Sequence, residues 1–234
     1  MSISNTENIN IIALLPMKGN SERVPDKNLK SFCGKPLYHR VIEVLLGSKY
    51  INKVIVNTDS ERIKEDIGSN FKENVIIHDR PEEIRGDYVS MNKIIAYDVS
   101  NSDGDYYFQT HSTNPLLKIE SVDNAIEKML TLSKEGVYDS IFSVTKIQTR
   151  LYDQKGHAVN HNPEELIRTQ DLPPLYEENS NFFIFTKRSF AESDNKRIGN
   201  KPHMFEIDKL EAVDIDGPLD FIIAEAIYKV VREA

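Results

Sequence analysis

Hydrophobic and polar positions along this chain follow two alternating rhythms. Short apolar runs at Ile9–Leu15, Lys53–Asn57, Val75–His78, Asp105–Gln109 and Asp139–Val144 have the length and the β-branched or aromatic content of strands. Between them lie stretches with helical spacing. One starts at Pro36 and carries Leu37, Val41, Val44 and Leu45; Ser60 opens a short acidic one, and Met91–Val99 and Ile119–Leu132 supply two more. Strand and helix in alternation predict an α/β fold, Rossmann-like, with a mostly parallel sheet flanked by helices. After Val144 the rhythm breaks. Residues 146–179 are polar and carry Gly156, Asn160, Pro163 and Pro173-Pro174, too long a stretch for a plain loop inside a folded unit. It reads as a hairpin or arm projecting from the sheet, suited to dimer contact or to closing a site. Strands at Asn181–Thr186 and Met204–Ile207 and a closing helix at Pro218–Arg232 complete a single domain over 1–234, with 145–180 as its insertion.

Composition narrows the classes. A formal net charge of −8 argues against nucleic acid or an anionic membrane surface as the main partner, so any anion site must be a local cluster of cations. The single cysteine, Cys33, excludes an internal disulfide and reads as a small buried hydrophobe. The polar N-terminus and the lack of a long apolar run lead us to expect a cytoplasmic soluble protein.

Two segments carry the chemistry. Pro16-Met-Lys-Gly-Asn-Ser-Glu-Arg-Val-Pro-Asp-Lys-Asn28 follows the first strand directly, and small residues there let backbone N–H groups approach anionic oxygens while Lys18, Arg23 and Lys27 neutralise them. Neither the Walker spacing nor G-x-G-x-x-G is present. In the second segment, Asp214-Ile-Asp216, side chains two apart in an extended chain share a face. Both carboxylates can therefore address one hard cation such as magnesium. Asp59, at the end of the second strand, is a further candidate ligand, with an N-cap or turn role as its alternative.

Assembled, these residues resemble the acylneuraminate cytidylyltransferases, the CMP-sialic acid synthetases. The signature P-x-R-x-x-S-K-x-x-P-x-K-N is met by Pro16, Ser21, Pro25, Lys27 and Asn28. In order there follow Gly34-Lys-Pro-Leu37, Thr58-Asp-Ser60, Arg80-Pro-Glu-Glu83, Gln109 with Thr113-Asn-Pro-Leu116, Gln170-Asp-Leu-Pro-Pro174, Asn179 and Asp214-Ile-Asp216. The resemblance implies transfer of CMP from CTP to a hydroxyl of an acidic, sialic-acid-like sugar, with release of pyrophosphate. Lys18, Asn20, Ser21, Arg23, Lys27, Asn28, Arg80 and Asp87 would hold CTP. Asp214 and Asp216 would bind Mg2+, and these two with Lys27 and Gln109 would form the catalytic set. Gln109, Asn114, Arg168, Gln170 and Phe183 would face the sugar, and the arm would reach a partner subunit in a homodimer.

Departures fall mainly on the sugar side. Lys18 and Glu22 stand where the family has arginine and lysine, and Q-P-T-S-P is expanded to Gln109-Thr-His-Ser-Thr-Asn-Pro115. Arg168 is displaced by one position, and Phe183 replaces a tyrosine. A cytidylyltransferase for a Kdo-like or other acceptor is thus an alternative, as is a D-x-D glycosyltransferase. Glu22 is expected to weaken phosphate binding unless its carboxylate points away or pairs with a neighbouring cation, Arg23 and Lys18 being the nearest.

Overall fold

The first apolar run becomes β1 (Ile11–Met17), buried at every position because helices cover both faces of the sheet around it. Successive residues point to opposite faces. Ile11, Ala13, Leu15 and Met17 pack with Tyr38, Val41, Ile42 and Leu45 of α1 (Leu37–Gly47) and with Val122, Ala125, Ile126 and Met129 of α4 (Ile119–Glu135). Ile12 and Leu14 pack on the other side with Ile95 and Val99 of α3 (Met91–Ser100). This is the computed structural model of the chain, and it describes residues 9–233.

The remaining strands are β4 (Lys53–Thr58), β5 (Val75–Asp79), β6 (Tyr106–Thr110), β7 (Ser140–Ile147), β8 (Leu175–Thr186) and β9 (Pro202–Glu206). With β1 they form one sheet in the order β5-β4-β1-β6-β8-β7-β9. β1 pairs in parallel with β4 and β6, β4 with β5, and β7 with β9, whereas β8 runs antiparallel to both β6 and β7. The sheet is therefore mostly parallel but mixed, with helices on its faces as expected. The aromatic runs are core: Tyr107, Phe108, Phe182 and Phe183 are all inaccessible.

The polar stretch after β7 is the outer part of a hairpin. β7 and β8 pair as far as Ile147 with Leu175, so the chain between them, 148–174, is shorter than the irregular stretch read from the sequence. Within it lie one isolated bridge, Tyr152 with Ala158, and a 3-10 turn at Thr169–Asp171. A bulge between Phe142 and Val144 is held by Asn179. Its amide oxygen accepts from the Ser143 hydroxyl at 2.6 Å and from the Asn181 N–H at 3.2 Å, and its nitrogen donates to Thr145 at 2.9 Å.

Two short features had no sequence expectation. β2 (Ser31–Phe32) and β3 (Lys35–Pro36) form a small hairpin whose turn, Cys33 at φ +49° and Gly34 at φ +86°, needs two left-handed residues. Cys33 is half-buried there rather than fully buried, and its N–H donates to Glu225. α5 (Lys187–Glu192) is closed by a capping box between Thr186 and Ser189. Helices α2 (Glu61–Asn70) and α6 (Pro218–Glu233) match the reading, and no described helix is long and apolar enough to cross a membrane.

Candidate active site

β1 has parallel neighbours on both sides, with connections leaving in opposite directions, and such a switch point opens a crevice at the carboxyl ends of the strands. The loops after β1, β5 and β6 line a cleft of about 320 Å³ there. Its wall includes Met17, Lys18, Ser21, Glu22, Arg23, Lys27 and Asn28 from the loop after β1. Arg80 and Asp87 come from the loop after β5, and His111 to Thr113 from the loop after β6, with Asp216 at the rim.

Local bonds explain the shape of the first loop. The Gly19 N–H donates to Asp59 at 2.7 Å, and an added Cβ at Gly19 would lie 2.8 Å from Ser60 Cβ, so the loop lies against the end of β4. Asp59 thus anchors a loop, and Ser60, not Asp59, caps α2 by accepting from the Ile63 N–H. Asn28 is buried, donating to the Lys18 carbonyl at 3.1 Å and accepting from Ser112 at 2.7 Å, which ties the loops after β1 and β6 together. Arg80 is also buried. Its Nε donates to Asn57 Oδ1 at 2.7 Å and its Nη2 to the Met17 and Asn57 carbonyls, which locks the ends of β1 and β4 in place.

The cations at the mouth have weak resting partners. Lys18 Nζ lies 2.5 Å from Asp87 and Arg23 Nη2 lies 3.0 Å from Asp216, both pairs well exposed. Exposed pairs are worth about 0–1 kcal/mol, so a polyphosphate competes easily for both cations. Because Lys18 and Arg23 are engaged elsewhere, Glu22 has no ion pair among the described residues. It pairs with neither Arg23 nor Lys18, and it stands in the cleft wall. Lys27 Nζ donates to the Ile215 carbonyl at 2.6 Å, between the two aspartates. Loss of solvent pulls its pKa below the ordinary lysine value, and Asp214 and Asp216 oppose that.

Asp214-Ile-Asp216 has the expected alternation. Ile215 is inaccessible against Phe32, Leu37 and Phe221, its N–H donates to the Thr113 carbonyl, and the two aspartates are exposed. Asp216 lines the first cleft, while Asp214 lines a second cavity of about 540 Å³ with Thr145, Glu178, Asn179 and Lys209. The segment therefore stands between two cavities. Although Asp214 as a residue is exposed, its carboxyl is flanked by protein, and this partial loss of solvent is the chief cause that holds it above the usual carboxylate range; a Thr113 hydrogen bond opposes the shift and Asp216 adds to it. These hard oxygen donors suit magnesium.

Other expected residues lie apart from the cleft. Asn20 is exposed and does not line it. Gln109 is inaccessible, with Oε1 accepting from Arg197 and Nε2 donating to the Thr110 carbonyl, so it offers no free end to a sugar. Phe183 is core, covered by the Arg197 guanidinium 4.0 Å from its ring centre. Asn114 is buried, its nitrogen 3.5 Å from the Val213 carbonyl and its Oδ1 without a partner among the described residues. Arg168 and Gln170 are exposed between β7 and β8, and Arg168 is bidentate to Asp171. The sequence reading missed Asn57, Asp98 and Arg197. Asn57 and Asp98 are polar residues inside apolar stretches and Arg197 sits in a polar run, and each has a partner distant in sequence.

Comparison with known proteins agrees with this geometry. A family model described as cytidylyltransferase matches residues 12–232. The pseudaminic acid cytidylyltransferase of Campylobacter jejuni subsp. jejuni serotype O:2 is 27% identical over 95% of this chain and 98% of its own. The CMP-N,N'-diacetyllegionaminic acid synthase of Legionella pneumophila is 27% identical over 96% and 98%. N-acylneuraminate cytidylyltransferase A of Danio rerio is 30% identical over 92% of this chain and half of its own length. Among solved structures, a CMP:2-keto-3-deoxy-manno-octonic acid synthetase complexed with CTP superposes with a TM-score of 0.68 at 13% identity, over 95% of this chain and 99% of that one, and shares the fold. A cation-lined cleft at the switch point and a match spanning almost the whole described chain lead to one assignment: the chain belongs to the cytidylyltransferase family.

Proposed function

We propose that this protein transfers CMP from CTP to a hydroxyl of an acidic, sialic-acid-like nonulosonate and releases pyrophosphate. One observation carries the reading: the Asp214–Asp216 segment stands between a cation-lined cleft and a second, open cavity. CTP occupies the first and the acceptor approaches from the second, so the two reactants meet at the carboxylates. The relatives named for pseudaminic, legionaminic and neuraminic acids support an acidic nine-carbon acceptor.

In this reading Lys18 and Arg23 exchange their aspartate partners for phosphate oxygens, while Ser21 and the loop backbone orient the chain of phosphates. Lys27 stays fixed by the Ile215 carbonyl and offsets charge that develops on the pyrophosphate leaving group. Asp214 and Asp216 would hold magnesium, which supplies charge neutralisation and lowers the pKa of a bound hydroxyl. Asp216 is freed for this role when Arg23 turns to the triphosphate.

The test is pyrophosphate release from CTP with a panel of eight- and nine-carbon acidic sugars, with ATP in place of CTP as the control. The expected result is release with CTP and a nine-carbon acid only. Release with an eight-carbon acid alone would replace the acceptor, and equal use of ATP would sink the nucleotide assignment. For the metal, Asp216→Asn should weaken Mn2+ binding followed by paramagnetic resonance, as well as turnover; unchanged Mn2+ affinity in this and the Asp214→Asn variant would make the pair structural.

We also assign the 148–174 excursion to a homodimer contact. Tyr152, Val159 and Leu166 are 56%, 57% and 81% exposed there, apolar surface that a partner subunit would cover.

A further inference from the structure

The expanded stretch after β6 places His111 in the wall of the cleft, beside Ser112 and Thr113 and facing the same space as Lys18, Arg23 and Lys27. Its ring state follows from its neighbours by a chain of hydrogen-bond constraints. Arg197 has only N–H donors, so the Gln109 atom 2.6 Å from its Nη1 must be the amide oxygen. The other end of that amide lies 2.7 Å from the Thr110 carbonyl, which only accepts, so this end must be the NH2 group. Both neighbours fix the same orientation of the amide. The remaining hydrogen of the NH2 group faces His111 Nε2 at 3.3 Å, and a nitrogen that faces a donor must present its lone pair. A neutral ring then carries its proton on Nδ1, which has no partner among the described residues.

The charged ring is disfavoured on two counts. It would set an Nε2–H against the Gln109 NH2 group, and the Arg197 guanidinium behind that amide carries like charge. Arg197 itself is held over the Phe183 ring and has no carboxylate at ion-pair distance among the described residues. Loss of solvent, with Arg197 adding to it, lowers the His111 pKa to about 4, in keeping with a neutral ring at neutral pH.

We infer that Arg197 and Gln109 lock His111 as its Nδ1–H tautomer, and that His111 donates this hydrogen to an anionic oxygen of a substrate bound in the cleft. His111 is thereby a substrate-binding donor and not the base that activates the acceptor, since its one basic nitrogen is already occupied. Gln109 and Arg197 are positioning residues. The shared chemistry is an anionic oxygen, which either a CTP phosphate or the acceptor carboxylate provides. The inference rests on the reading of the cleft as the substrate site.

Two measurements test it. Long-range 1H–15N NMR of the wild-type protein at neutral pH should show His111 with a protonated Nδ1 and an unprotonated Nε2, and Arg197→Met should mix the tautomers. A protonated Nε2 in the wild type, as a neutral tautomer or an imidazolium, overturns the proposal whatever the enzyme's substrates prove to be. Kinetics form the second arm. Asparagine can place its NH2 near the position of Nδ1, and glutamine near that of Nε2. His111→Asn should keep kcat/KM within about threefold, whereas His111→Gln should lose roughly 10- to 100-fold, the usual span for one hydrogen bond to a charged group. A loss confined to the KM for CTP assigns the oxygen to a phosphate, and one confined to the KM for the acid assigns it to the acceptor. Equal kcat/KM in the two variants overturns the donor role. If the wild type releases no pyrophosphate with any acceptor, the reading of the cleft fails, and the spectrum alone still decides the tautomer.

Discussion

Glu22 and Lys27 sit in one loop with opposite charge and opposite expected effects. Glu22 is exposed in the cleft wall without an ion pair among the described residues, so its carboxylate repels the phosphates that the neighbouring cations attract. Glu22→Lys should leave stability within about 0.5 kcal/mol, as surface substitutions usually do. It should lower the KM for CTP about two- to fivefold, the worth of one exposed charge. Loss of activity in this variant, measured by pyrophosphate release, would give Glu22 a positive role. Lys27 is anchored between the two aspartates, and Lys27→Ala should cut turnover by about 100-fold or more with the fold intact by circular dichroism. His111 adds a pH effect on stability. Its folded pKa of about 4 lies below the ordinary value of 6.5, so the unfolded chain binds more protons between these values. Stability should therefore fall as pH drops from 6.5 towards 4, with His111 contributing up to about 3 kcal/mol of the loss. Urea unfolding of wild type and His111→Asn at pH 7 and pH 4.5 checks this, and the variant should show the shallower decline.

At the scale of elements, strands and helices were legible wherever the apolar period ran for four or more residues. β1, β4, β5, β6, α1, α3 and α4 begin within about two residues of the expected positions, because burial of an alternating or helical stripe is a local property. The β2–β3 hairpin and α5 are too short to show a period. The polar contacts were illegible for another reason: Arg197 and Gln109 are 88 residues apart, and nothing in either neighbourhood announces the other. The same holds for the bonds that join β4, β5 and α3. Asp98 of α3 is inaccessible, and its Oδ1 accepts from Asn57 Nδ2 and His78 Nδ1, each at 2.7 Å; Asn57 in turn holds Arg80. Asp98→Ala would leave two donors without an acceptor and should cost about 2–4 kcal/mol. Asp98→Asn keeps Oδ1 as the acceptor and puts its nitrogen where Oδ2 has no partner among the described residues, so it should cost less than half as much. Both variants should raise the KM for CTP through Arg80. Equal destabilisation in urea would mean that the charge, and not the acceptor geometry, holds these elements together.

For the whole molecule, the excursion between β7 and β8 is the part whose contacts bear most on the proposed acceptor site. The second cavity lies at the base of this hairpin, lined by Thr145, Ile147 and Glu177 to Ser180. A chain that packs against the outer hairpin is therefore close to the proposed acceptor site. Arg168 and Gln170 line neither of the two cavities described above and stand exposed on the excursion, so a partner subunit that packs there would meet them. Leu166 separates the possibilities because it is 81% exposed and so contributes little to the fold of its own chain. Leu166→Glu should leave the unfolding midpoint of the isolated subunit unchanged, while a charge buried in an interface disfavours association. We expect a homodimer at micromolar concentration for the wild type in sedimentation equilibrium, and a dissociation constant raised at least tenfold in the variant. The KM for the acidic sugar should rise with dissociation, and the KM for CTP should stay constant, because none of the residues lining the first cleft belongs to the excursion. A wild type that is monomeric at micromolar concentration with full turnover would remove the partner from the acceptor site and leave the second cavity to work unaided.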